Sequence, residues 1–230
     1  MNYGQNSHSA ISSGNIAAAG NRRSLTPLVG RRQRRAAETR MRLFRSALQL
    51  FAKRGFSSVT VEDITEAADV GKGTFFNYFA TKDHVLGVMA EIQLCKVRQA
   101  AALADAGKQS IQSVLRRLLL RLAEEPGRSP ALARAIISSF LASEEVRHTV
   151  EINMREGRRI IADIIAAGQE RGEIGPHVKK AKAASQFLQA FLGSLLLWSL
   201  HGKPALASWL EDSYEHFWRA IAISGQKQEL

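Results

Sequence analysis

The residues of this chain best suited to chemistry are Lys72, Gly73, Thr74, Asn77 and Tyr78, and that chemistry is hydrogen bonding to a duplex rather than catalysis. They lie within Thr60–Asp83, TVEDITEAADVGKGTFFNYFATKD, where a tight turn separates two short segments of helical periodicity. Phe75 and Phe79 fall four residues apart, on one helix face, and can plug a core. The intervening positions then look outward as a small, polar, lysine-tipped surface of the kind that fits a DNA major groove. Lys72 can donate to guanine acceptors, Thr74 offers a hydroxyl or a methyl, and Gly73 lets the backbone come close. Asn77 and Tyr78 suit phosphate or base-edge contacts. An enzymatic reading finds no support. The chain shows no nucleophile–base pair, and Gly71-Lys72-Gly73 is too short for a phosphate-cradling loop. His148, His177 and His201 stand at no ligand spacing with Cys or acids, so no catalytic residue, metal or cofactor is expected.

Three helices must hold that surface in place. Thr60 is a good N-cap, and Glu62 and Asp63 sit where the helix dipole favours negative charge. Val61, Ile64 and Ala68 share a face, with Ala67 small enough for close packing. Asp69-Val70-Gly71 closes the helix, with Gly71 expected in a conformation that residues bearing a Cβ resist. A second helix follows over Lys72–Tyr78, so the helix-turn-helix occupies about 59–78. The first helix is expected over about Arg35–Arg54, burying Leu43, Phe44, Ala47, Leu48, Leu50 and Phe51. Gly55 stops it and Phe56 folds back. Thr81 caps a fourth helix running to about Ala104. Lys82 at its start opposes the helix dipole, a cost that makes sense beside a DNA phosphate.

The run TRMRLFRSALQLFAKRGFSSVTVEDITEAADVGKGTFFNYFATKDHVL resembles the N-terminal domain of the TetR/AcrR family of bacterial transcriptional regulators. The matching features, in order, are an amphipathic helix ending in Arg54-Gly55-Phe56, then Thr60-Val61-Glu62-Asp63-Ile64, Gly71-Lys72-Gly73-Thr74, Phe75-Phe76-Asn77-Tyr78-Phe79, and Lys82-Asp83 with Leu86. The resemblance covers about residues 36–96. It implies DNA contacts at Thr60, Lys72, Gly73, Thr74, Phe76, Asn77, Tyr78 and Lys82, with Thr60 and Lys82 positioning the unit on the backbone. Phe76 stands where the family often has tyrosine, and Gly71 replaces a common serine. The resemblance further implies a repressor released from a palindromic operator by a small-molecule effector held among helices 4 to 8. The effector-binding residues are unknown from sequence. Phe140, Met154, Ile161 and Phe191 could line a pocket or simply pack a core. The alternative is a non-inducible DNA-organising protein of the same fold.

The charge is placed where such a function needs it. The formal net charge is +11. Between Arg22 and Arg54 stand eleven Lys/Arg against one acid, Glu38, whereas the rest of the chain holds 21 basic and 20 acidic residues. A one-sided cluster beside a helix-turn-helix reads as phosphate contacts. Arg31-Arg32-Gln33-Arg34-Arg35 is either a basic arm reaching the duplex or part of a solubilising tail.

The expected fold class is all-α, with about nine helices. Residues 1–30, rich in Ser, Asn, Gly and Ala, are expected to be disordered. Residues 31–96 would form the DNA-binding domain and 97–230 a helical effector-binding and dimerisation domain. Its helices are placed at about Lys108–Glu125, Pro130–Ser143, Glu144–Arg171, Pro176–His201 and Pro204–Ser224, punctuated by Gly and Pro. Phe187–Trp198 is apolar nearly all round, and Leu206, Trp209, Leu210, Tyr214, Phe217 and Ile221 give the last helix a wide stripe. Two such helices meeting their copies would make a four-helix homodimer interface over about 176–224; a core hairpin is the plainer alternative. Gln186, Gln189, Ser194 and Ser199 interrupt the apolar run, which argues against a membrane span. The single cysteine, Cys95, is expected to be buried and unpaired, which suits a cytoplasmic protein.

Overall fold

The structure, a computed structural model, describes residues 30–223, and the N-terminal tail expected to be disordered lies outside them apart from Gly30. Within that range the fold is all helical: α1 Arg31–Arg54, α2 Val61–Ala67, α3 Lys72–Phe76, α4 Asp83–Asp105, α5 Ile111–Leu122, α6 Pro130–Ala142, α7 Glu144–Glu170, α8 Lys180–His201 and α9 Leu206–Ile221. A single 3₁₀ turn, Pro126–Arg128, leads into α6.

Local chemistry accounts for most of the boundaries. Ser110, Ser129 and Ser143 each accept from a backbone N–H three residues on, capping α5, α6 and α7. Pro130 occupies the first position of α6, where a missing N–H costs nothing. Pro176 and Pro204 do not start helices. They lie in the preceding connections, and α8 and α9 begin four and two residues beyond them. Gly175 N–H instead donates to Ile221 O at 2.9 Å, pinning the loop before α8 to the end of α9.

Two apolar clusters organise the chain. The first joins Leu43, Phe44, Ala47, Leu48 and Phe51 of α1 to Ile64, Phe75, Phe79 and the start of α4. It also takes in Leu132, Ala135 and Ile136 of α6 and Val146 of α7. The second is built from α4, α5, α7, α8 and α9 around Leu115, Leu119, Ile161, Ile165 and Phe187. Helix α6 therefore buries part of its surface against the helix-turn-helix unit, across the boundary expected near residue 96.

Four expectations need correcting here. Helix α1 begins at Arg31, so Arg31, Arg32, Arg34 and Arg35 form its exposed opening turn and not an extended arm. The left-handed residue between α2 and α3 is Asp69, φ 51°, while Gly71 has φ −73° and serves as the N-cap of α3. Aspartate tolerates that region because its short polar side chain bonds locally. Cys95 is exposed on α4, one position off the helix's buried face. Finally, the apolar stripe of α9 faces inward. Leu206, Leu210, Tyr214, Phe217 and Ile221 are buried in the subunit's own core, and Trp209 is half-buried. Of the last two helices it is α8 that keeps large apolar residues outside, with Leu196, Leu197 and Leu200 exposed.

Candidate nucleic-acid interface and regulatory cavity

Helix α2 is held by a reciprocal cap. Thr60 Oγ1 accepts from Asp63 N–H at 3.2 Å, and Asp63 Oδ2 accepts from Thr60 N–H at 2.8 Å. Arg54, at the end of α1, adds an ion pair to Asp63 Oδ1 at 2.9 Å. These bonds to Thr60 and Arg54 hold the Asp63 carboxyl below its usual range. A group depressed in the folded state contributes stability that is full above its unfolded value and lost as pH falls through its folded value. The unfolding midpoint of the wild type should therefore drop in that acid window, and Asp63→Asn should flatten the drop while lowering the midpoint at neutral pH. Thermal melts across an acid series would check this.

The second helix of the pair is short. α3 spans Lys72–Phe76, with Asn77 as its C-cap and Tyr78 in the following turn, so the expected helix to Tyr78 ends two residues early. Phe75 is completely buried and meets Phe79 at a centroid distance of 5.4 Å. That anchoring turns Lys72, Gly73, Phe76 and Asn77 to the outside, with Thr74 and Tyr78 half-exposed. A Cβ placed on Gly73 would meet nothing within 4 Å, so the surface there is flat and open to a backbone or base edge. Phe76 is 54% exposed, an aromatic with no core to enter.

Two lysines are less free than their sequence positions suggest. Lys72 forms an ion pair with Glu62 of α2, which lowers the Glu62 carboxyl; both side chains are exposed, so the pair is exchangeable. Lys82 is engaged more firmly. Its ammonium donates to Phe56 O at 3.0 Å, Ser57 O at 3.3 Å and Val59 O at 2.9 Å, and lies 4.7 Å from the centroid of the Phe56 ring. The dipole cost at the head of α4 is thus offset within the chain by carbonyls of the α1–α2 loop. Thr81 Oγ1 does accept from His84 N–H, at 3.4 Å. Arg40 pairs with Glu91 of α4 at 2.9 Å.

The second feature is a cavity of about 130 Å³, open on one side, bordered by α4, α5, α6, α7 and α8. Its wall includes Leu86, Met89, Gln93, Ile136, Phe140, Asn153, Met154 and Phe191. Three of the four residues picked from sequence, Phe140, Met154 and Phe191, line it; Ile161 does not and is packed in the core. Helix 4 was expected at the pocket but none of its residues was among those four, although Leu86, Met89, Ala90, Gln93, Leu94 and Val97 form a helical stripe broken by one amide, which is the signal that marks them. Leu86, Met89 and Ile136 belong at once to this wall and to the apolar cluster beneath the helix-turn-helix. Among the described residues no group of His, Cys, Asp and Glu is placed to hold a metal ion.

Known proteins agree with this geometry. Residues 43–89 match the model of the bacterial regulatory proteins, tetR family. The chain is 48% identical over 56 residues to the HTH-type transcriptional regulator TcmR of Streptomyces glaucescens, a match spanning 24% of this chain and 25% of that protein. It is 23% identical over 159 residues to the HTH-type transcriptional repressor DhaR of Mycobacterium sp. strain GP1, covering 68% of this chain and 80% of DhaR. The crystal structure of Thermus thermophilus FadR, a TetR family transcriptional repressor in complex with lauroyl-CoA, superposes with a TM-score of 0.56 at 27% identity, over 77% of this chain and 92% of FadR. The buttressed two-helix unit, the order of the helices among the described residues and these likenesses together show a DNA-binding domain of the tetR type over residues 43–89, within a fold similar to that of TetR-family transcriptional regulators.

Proposed function

We propose that the protein is a homodimeric repressor that leaves a palindromic operator when a small molecule enters the cavity between α4 and α8. The carrying observation is the shared wall: Leu86, Met89 and Ile136 line the cavity on one side and pack the DNA-binding core on the other. A ligand that moves them must also move α4 and the unit it carries. Close-packed interiors transmit such displacements instead of absorbing them. Half-sites recur at about 34–36 Å, so a shift of a few ångströms in the separation of two recognition helices breaks simultaneous docking. The FadR complex with lauroyl-CoA supports a ligand-responsive reading by analogy of fold.

On DNA, Lys72, Gly73, Thr74, Phe76, Asn77 and Tyr78 are the proposed contacts, with Arg31, Arg32, Arg34 and Arg35 supplying charge along the opening turn of α1. Phe76 cannot donate to phosphate and is assigned apolar contact, as with a thymine methyl. Thr60 and Lys82 act mainly by fixing the loop and helix that present α3. Dimerisation is assigned to the outer face of α8. There Leu196, Leu197 and Leu200 lie exposed, and a Cβ on Gly193 would meet nothing within 4 Å.

Selection of bound duplexes from a random pool would give the operator, and titration with and without metabolites would read release. Lys72→Ala should then weaken specific binding by about 1–3 kcal/mol while leaving random duplex nearly unaffected. Equal loss on both, measured by fluorescence anisotropy at fixed salt, would restrict Lys72 to phosphate.

A further inference from the structure

The opening half of α1 runs ahead of the core. Leu43 is the first buried residue of the helix, so residues 31–42, about 18 Å of helix, bury none of their number. That segment holds six arginines and one acid, Glu38. Arg40 is matched by Glu91. Arg31, Arg32, Arg34, Arg35 and Arg42, with Arg45 just beyond, are exposed and pair with no acid among the described residues. Nothing within the subunit rewards this arrangement. The first turn holds no acid, so arginines crowd the positive end of the helix dipole. Arg31 and Arg35 stand four apart and Arg42 and Arg45 three apart, spacings at which like charges repel. Helical spacing also sets these four on the side of α1 away from Leu43, Phe44, Ala47 and Phe51. An unpacked helix of one sign, opposed by its own charges, is complementary to a polyanion.

Its placement says which polyanion. Arg54 pairs with Asp63 in the first turn of α2, and Ser46 Oγ donates to Ala67 O, at the end of α2, at 3.2 Å. Helix α1 therefore runs antiparallel to α2, and its projecting half passes the turn that opens α3. We propose that this half lies along the phosphates of the duplex flanking each half-site, outside the groove that α3 enters. A helix about 10–12 Å across does not fit a minor groove about 6 Å wide, so the contact is with the backbone and carries no sequence information. Arginine suits it, because its planar fork can pair a phosphate through two parallel bonds. The inference goes beyond α3 as the reader of bases and rests on the helix-turn-helix binding DNA. It gives each subunit a second footing, on flanking duplex that must be present whatever its sequence.

Duplex length and salt test this. The full chain is titrated by fluorescence anisotropy with random duplex and with its selected operator, bare or extended on each side by one helical turn, about ten base pairs, of arbitrary sequence. Extension should tighten binding and steepen its salt dependence, by about 0.9 in the log–log slope for each phosphate gained. The combined variant Arg31→Gln, Arg34→Gln, Arg35→Gln and Arg42→Gln should lose that gain, with a slope lower by about 3–4 for each subunit. Replacing the same four by lysine should restore the slope, because charge sets counterion release. The glutamine variant should melt no lower than the wild type, since it removes repulsion from a helix start, so lost binding is not lost fold. Equal binding of bare and extended operator by the wild type would overturn the inference and leave α3 as the reader. So would a glutamine variant that keeps the wild-type slope. Failure of the operator reading looks different: no sequence would be preferred, while the length and slope effects persisted on random duplex, which supports the phosphate contact alone.

Discussion

Phe75→Ala is expected to lower the stability of the protein by about 3–5 kcal/mol, the usual cost of emptying a fully buried aromatic site. Phe75 is completely buried, meets Phe76 edge-on at 5.5 Å and packs on Phe79 at 5.4 Å. It is the sole buried residue of a five-residue helix that has no other anchor of its own. A helix that short does not persist in water without packing. Losing the ring should therefore unseat α3 before the larger C-terminal core melts, and DNA binding should fail at temperatures where most helical signal survives. Following circular dichroism and operator affinity together across a melt would separate the two events. Phe76→Ala is the control: an exposed neighbour whose removal should change stability by no more than about 0.5 kcal/mol. Similar losses for both variants would mean that α3 is not held by Phe75.

Leu197→Glu combined with Leu200→Glu is expected to convert the proposed dimer to monomers and weaken operator binding by about 10²–10⁴-fold, the range set by losing one of two linked binding events. In the subunit these side chains are 46% and 63% exposed, so the change should leave the isolated fold intact. At a two-fold interface each substitution appears twice, and unpaired carboxylates would be driven into an apolar seam. Sedimentation velocity and anisotropy on the same samples would check both halves. A dimer that survives the double substitution would place the interface elsewhere, with the outer face of α8 left as a surface of the single subunit.

The contrast between these two variants mirrors what was legible in the chain. Local signals decided the local structure: the Thr60–Asp63 cap, the start of α6 at Pro130, and the burial of Phe75 and Phe79 all follow from residue type and helical spacing. The concentration of arginine before and within α1 likewise needed no coordinates. Errors arose where two equivalent local solutions existed. Either Asp69 or Gly71 can supply a positive φ, and the closing turn of α2 uses the aspartate.

Only the tertiary structure decided which partner each surface meets. An apolar stripe states that a helix must be covered, not by what, and so the stripe of α9 could be read as a subunit interface although it packs into its own core. A lysine at a helix start states that its charge needs compensation, and three carbonyls far back in the chain provide it for Lys82. The same holds for the cavity. Its wall gathers residues from five helices, and Gln93 in that wall is held by Glu125, thirty-two residues away in sequence. Periodicity is written in neighbours along one helix, whereas pairing between helices depends on how they cross.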